Sequence, residues 1–361
     1  MSEFFRDWWV WCYLYLQHFF VMMYWVTIPG LLVCGFLSVR YRPVFRDRLL
    51  KGASGPLAVF YAIGLGMTTP ASRREGLKTT STLLVSGAPP AAALGYFIAS
   101  QSLGLYFVLA FTVLVGLEFG LGVLLGGLVM VLLTAASAYF LALSPVPEKI
   151  APATSTSNPG DEAPKNWQAL LSTREGWWLA LKDIGHIFRV LWLPSLGGLL
   201  LGGLILAVDM RKAWPLPLWL GDEGLGPTIA SAFFGPLLSF ISFSSSLGNL
   251  VVASSIWKTW TFAYAGVISF VLAGTLHPLN LRPLKQLFGA RTGRYVATIL
   301  YLSAALGGLT AIGTFELLGL EVTHVPWFEP LVKKIMMTLP FTMLGTGGMS
   351  IMGKMGGMEG M

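Results

Sequence analysis

Arg73, Arg74, Glu75 and Lys78 put three cations and a carboxylate within six residues. Guanidinium and ammonium groups there would attract an anion, and the carboxylate would balance charge or carry a proton. The group follows an apolar run, residues 56–70, that rises only about 22 Å if helical, less than the roughly 30 Å hydrocarbon core. Charge at that depth must face protein or water, because facing lipid costs about 2.5 to 3.5 kcal/mol per residue. A tilted span followed by an ordinary interfacial loop is the alternative reading. A second apolar run, residues 226–241, leads into Ser242, Ser244, Ser245, Ser246, Gly248 and Asn249. Those hydroxyl and amide groups would supply hydrogen bonds to a solute, while small residues also serve close helix packing. Gln101, His277 and Asn280 would close the other side, and Pro278 can end a helix there and free carbonyls for a ligand.

The elements holding these residues occur twice. A hydroxyl-rich stretch, an apolar helix and a polar break run from Ser72 to Leu103 and again from Ser246 to Asn280. Setting Ser72 over Ser246 brings Ile98-Ala99-Ser100 over Leu272-Ala273-Gly274, and Gln101-Ser102 over Thr275-Leu276. A second correspondence keeps the same order: an aromatic span ending at Pro29-Gly30-Leu31-Leu32, and Trp177-Trp178 followed by Pro194-Ser195-Leu196-Gly197. Paired halves with polar breaks in matching places are a sequence pointer to a transporter core. The halves' orientation stays open: a displaced basic cluster fits opposite orientations, and a re-entrant segment would displace it equally.

Hydrophobic residues make up 55% of the chain and charged ones 11%, so lipid is the main solvent. The expected fold class is an all-α integral membrane protein of roughly eight to ten transmembrane helices, built from two related halves. Residues 1–143 form the first half, 144–176 a Pro- and Ser-rich polar linker, 177–325 the second half, and 326–361 an amphipathic segment with a Met/Gly-rich tail. The segment 104–144 contains one charge, Glu118, and is expected to fold as two spans meeting near residues 118–122. The net charge of +7 comes from basic residues placed beside apolar segments in short loops: Arg40, Arg42, Arg46, Arg48 and Lys51, then Arg282, Lys285, Arg291 and Arg294. These read as topology signals and contacts to lipid headgroups, with no nucleic acid implied.

At the repeats the sequence resembles the bacterial predicted-permease family that includes the organoarsenical efflux permease. The resemblance is carried by G-A-P-P-A-A-A-L-G-Y-F-I-A-S at residues 87–100 and by A-G-V-I-S-F-V-L-A-G at 265–274 followed by His277-Pro278-Leu279-Asn280. It extends to L-F-G-A-R at 287–291 and covers about residues 29–320. The resemblance implies a multi-pass permease of the bacterial inner membrane. The family commonly carries a Cys-Ser-Cys-Gly motif where this chain has Ser72-Arg73-Arg74-Glu75-Gly76, and Cys-x-Thr or Cys-Ser where it has Ser244-Ser245-Ser246. Thiolates suit soft metals and trivalent arsenic, whereas hydroxyls and guanidinium do not, so a polar or anionic solute is expected instead.

Met349, Met352, Met355, Met358 and Met361 recur every third residue in the tail. Thioethers suit copper(I), yet a glycine-rich tail also serves as a flexible apolar contact for a partner. No nucleotide loop, zincin helix or nucleophile elbow occurs, so no enzyme and no cofactor is expected. The reading is transport of a small polar or anionic solute by alternating access where the repeat breaks meet. The competing reading is a permease-derived structural subunit of an electron-transfer or photosynthetic assembly, in contact with other membrane subunits.

Overall fold

The computed structural model describes residues 30–69, 73–141, 167–208, 218–242, 246–320 and 322, all within one unit of the chain, Met1–His324. Among these residues every regular element is helical. The first half holds α1 (residues 30–50), α2 (Gly55–Thr68), α3 (Arg73–Val85), α4 (Pro90–Ser102), α5 (Leu105–Leu114) and α6 (Leu117–Phe140). Then come α7 (Trp167–Ser172), α8 (Arg174–Val208), a 3-10 turn (Leu218–Gly221), α9 (Leu225–Ile241) and α10 (Ser246–Lys258). Next are α11 (Tyr264–Leu272), which runs into a second 3-10 turn (Ala273–Thr275), α12 (Pro278–Phe288) and α13 (Ala290–Leu317).

The register that sets Ser72 over Ser246 matches the halves helix for helix. It puts Pro90 on Tyr264, the starts of α4 and α11, and Leu114 on Phe288, the ends of α5 and α12. It also brings Leu117, at the start of α6, within a residue of the start of α13. Packing repeats with it: α2 lies on α4 and α9 on α11, α4 on α6 and α11 on α13, α5 on α6 and α12 on α13.

Each half is built around one helix buried on all sides. In α4 every residue from Ala91 to Ser102 is buried, and in α11 all of Tyr264–Leu272 are. A helix apolar all round belongs in a core. Pro90 starts α4 at the position where a missing N–H costs nothing. By contrast α6 and α13 bury one stripe and turn Leu121, Leu132, Leu302 and Leu306 outward. Their stripes are rich in small residues, and a Cβ on Gly126 or on Gly307 would come within 2.6 Å of the other's carbonyl oxygen. Small residues permit that backbone approach where no hydrophobic effect drives helices together in lipid.

Three contacts give the direction of this crossing. Tyr264 donates to the Glu118 carbonyl at the start of α6 (2.7 Å) and meets the Phe315 ring near the end of α13 (5.7 Å). Gly126 meets Gly307 midway, and Thr134 shares a 3.2 Å hydrogen bond with Ser303 beyond. Moving up α6 therefore moves down α13, so these equivalent helices run antiparallel. A half-turn about an axis across the helices exchanges them, which is the sense of an inverted repeat. Tyr264→Phe is expected to cost about 1 kcal/mol, read as a lower thermal midpoint in detergent with the fold retained.

Among the described residues three helices are long and apolar enough to cross a membrane, the continuous α4–α5 stretch (Pro90–Thr112), α6 and α13; the bent pair α11 and α12 makes a fourth. The stretch 104–144 differs from two full spans meeting near residues 118–122. Its first part, α5, completes the span begun by α4, and the chain breaks at Val115-Gly116, where Gly116 takes φ 154°, a conformation that favours glycine. Helix also begins inside the expected linker, because Trp167–Ser172 is apolar enough to bury Leu170 against Phe36, Val39 and Ala180. The basic clusters lie on helices instead of loops: Arg40, Arg42, Arg46 and Arg48 on α1, Arg282 and Lys285 on α12, Arg291 and Arg294 on α13. Arg42 pairs with Asp183 of α8 at 2.8 Å.

Candidate functional site

Both buried helices stop at polar residues, and their ends meet. Ser102 Oγ, in the last turn of α4, donates to the Leu272 carbonyl at the end of α11 (3.2 Å). Beneath them, Leu272 packs against Gly126, Gly127 and Gly307, and Leu103 packs against Gly127. The chain then runs from α4 into α5, whereas the axes of α11 and α12 differ by 58°. The second break is held by its own groups: Leu276 N–H donates to Ala273 O (2.8 Å), Asn280 N–H to His277 O (2.8 Å) and Asn280 Nδ2 to Thr275 O (2.7 Å). Thr275 Oγ1 is wholly buried and has no hydrogen-bond partner among the described residues.

Two amides flank the breaks. Asn249 on α10 is fully buried; its Nδ2 donates to Ser239 Oγ and its Oδ1 accepts from Ser242 Oγ, both at 3.2 Å. The same Nδ2 lies 3.4 Å from where a Cβ on Gly274 would stand. In the first half the roles are exchanged. Gln101 on α4 is the buried amide, and the glycine is Gly76 on α3, whose Cβ would fall 2.6 Å from Gln101 Nε2 and 3.4 Å from Ser100 Oγ. Each half thus leaves a glycine-sized space beside a primary amide.

The repeat register sets Glu75 over Asn249, so a carboxylate in one half stands where the other has a neutral amide. Glu75 is half-buried. It lies within electrostatic reach of the Tyr96 hydroxyl, which is hydrogen-bonded by the Thr69 and Thr79 side chains and also feels Arg42.

Of the residues singled out in the sequence, Gln101, Asn249, His277 and Asn280 are buried at these breaks. Lys78 is exposed on α3. Arg73 and Arg74 open α3, and Ser246 opens α10, but their side chains lie outside the described residues, as do Ser244, Ser245 and the methionine tail from Met349 to Met361. Sequence reading passed over Ser102, Thr275, Ser239 and Tyr96. The register itself marks Thr275, which falls on Gln101; nothing local marks Ser239 or Tyr96. Among the described residues no group of three His, Cys, Asp or Glu side chains is placed to hold a metal.

The chain is similar to known permeases. The ArsP_1 family, described as predicted permease, matches residues 14–312. The Mycobacterium tuberculosis protein named "Putative permease Rv2963" is 24% identical over 337 residues, covering 85% of this chain and 82% of the relative. No solved structure matches. A match over most of the chain, on a helical membrane fold with two matched halves, makes this protein a member of the ArsP_1 predicted-permease family.

Proposed function

We propose that this permease moves a small polar or anionic solute across the cytoplasmic membrane by alternating access about the junction of the α4 and α11 breaks. The observation that carries the reading is the contact between the ends of two fully buried helices, the second broken from α12 by a 58° bend, which present Ser100, Gln101, Ser102, Thr275 and Asn280. Buried hydroxyls and amides are costly unless satisfied, and repeat interfaces with broken helices are where transporters of this architecture hold their solutes. The unpartnered Thr275 hydroxyl and the amides of Asn249 and Gln101 supply hydrogen bonds. Arg73 and Arg74, within one turn of Gly76 on the same helix, supply the attraction for an anion. Glu75, the carboxylate that the register sets over Asn249, would balance charge or carry a proton as the solute moves.

The test is flux of radiolabelled small anions and neutral polar solutes into proteoliposomes. Thr275→Val and Asn249→Leu are each expected to reduce flux at least about tenfold, a loss of about 1.4 kcal/mol, with insertion unchanged. Undiminished flux in both variants would remove the junction as the solute site.

A further inference from the structure

Arg42 and Asp183 form an ion pair that solute binding does not need. They belong to opposite halves, Arg42 to α1 and Asp183 to α8, 141 residues apart. Arg42 Nη2 donates to both carboxylate oxygens, at 2.9 and 2.8 Å, and also to Ser38 Oγ. The side chains are only 16% and 13% exposed. A pair this withdrawn from water recovers little net stability, since desolvation offsets most of its attraction, but it fixes one arrangement over others.

The helix carrying Asp183 is held at two places. Its first third packs on α1: a Cβ on Gly35 would come within 2.8 Å of Ile184 and 3.1 Å of the Ala180 carbonyl, and the Phe36 ring meets Trp177 edge-on at 4.9 Å. Its last third packs on α10, where a Cβ on Gly198 would meet Gly248 Cα at 2.2 Å and one on Gly202 would meet Val251 at 2.9 Å. Between these anchors α8 contains Pro194, which has no N–H to give the Val190 carbonyl and so leaves a weak rung in the helix ladder. One end of α8 is therefore fastened to the first half, the other to the second, with a ready bending point between.

The Arg42 charge also reaches the Tyr96 hydroxyl of α4, which is hydrogen-bonded by the side chains of Thr79 on α3 and Thr69. We infer that the Arg42–Asp183 pair is a latch between the two halves, holding α8 against α1 in one state of the transport cycle and releasing it, with bending at Pro194, in the other. This rests on the alternating-access reading only for what the latch regulates. Its physical content is that breaking the pair changes access to the junction.

That content can be measured without knowing the solute. In a Cys12→Ala/Cys34→Ala background, Thr275→Cys reports access through its labelling by a membrane-impermeant maleimide, in right-side-out and in everted vesicles. Asp183→Asn is expected to raise labelling from at least one face about fivefold or more, and the charge swap Arg42→Asp/Asp183→Arg to bring it back to the parent rate. Unchanged labelling in a monodisperse Asp183→Asn protein would overturn the latch, as would a rise that the swap fails to reverse. Should Asp183→Asn not fold, Asp183→Glu, which lengthens the pair without removing charge, carries the same comparison against its parent. A rise from one face with a fall from the other, reversed by the swap, supports the latch and alternating access together. A rise from both faces, reversed by the swap, supports the latch and counts against alternating access.

Discussion

Gly126→Val and Gly307→Val are each expected to abolish recovery of monodisperse protein, while Gly313→Ala on the same face-to-lipid helix leaves it intact. At Gly126 a Cβ would stand 2.6 Å from the Gly307 carbonyl oxygen and 3.1 Å from Leu272, and at Gly307 it would stand 2.6 Å from the Gly126 oxygen. The obstacle is backbone in both cases, so no rotamer change relieves it and the helices must part. Overpacking a close contact costs about 1 to 3 kcal/mol, and more where backbone must move. Parting α6 from α13 would also unseat Leu272, whose carbonyl accepts from Ser102, so damage at the crossing travels to the breaks. Gly313 has open space around it, and alanine there gains helix propensity. Size-exclusion profiles and thermal midpoints in one detergent compare the three variants. Wild-type behaviour of Gly126→Val would mean that the crossing does not hold the halves together.

The repeat was legible because both copies keep length as well as composition, so one register aligns helix starts and ends across four consecutive elements. Gln101, Asn249, His277 and Asn280 were legible for a related reason: a polar side chain beside a long apolar run has nowhere to go but a protein-lined break. The features that escaped depend on partners distant in sequence. Arg42 sits in a basic cluster, and composition assigns such a cluster to the membrane surface; only the fold brings Asp183 to it. The antiparallel sense of α6 and α13 cannot be read from hydropathy, which is blind to direction, and needed the ordered contacts Gly126–Gly307 and Thr134–Ser303, with Tyr264 bridging Glu118 to Phe315. The break at Val115-Gly116 was hidden because the sequence is apolar on both sides. Hydropathy reports what a residue is, whereas this break is a matter of backbone conformation at one glycine.

Gly76→Ala is expected to leave the protein folded and to remove most of its flux. The added methyl would fall 2.6 Å from Gln101 Nε2, the far end of a flexible side chain, and 3.4 Å from Ser100 Oγ. Gln101 can swing aside, so the steric cost is small, and alanine is favoured over glycine within a helix by about 1 kcal/mol. The thermal midpoint should therefore hold or rise. What changes is the aim of the amide and the space beside it, and sub-ångström placement of a binding group is enough to cost about tenfold or more in turnover. Gln101→Leu, which keeps the volume and removes the amide, should lose flux to a similar extent. Val85→Ala serves as the control on the same helix: its side chain is exposed at the far end of α3, and flux should not move. The comparison separates a solute site from a packing contact, since a packing role predicts that flux and midpoint fall together. If Gly76→Ala and Gln101→Leu both transport at the parent rate, the solute does not pass the α3–α4 side of the junction, and Asn249 with Thr275 would have to serve it from the second half alone.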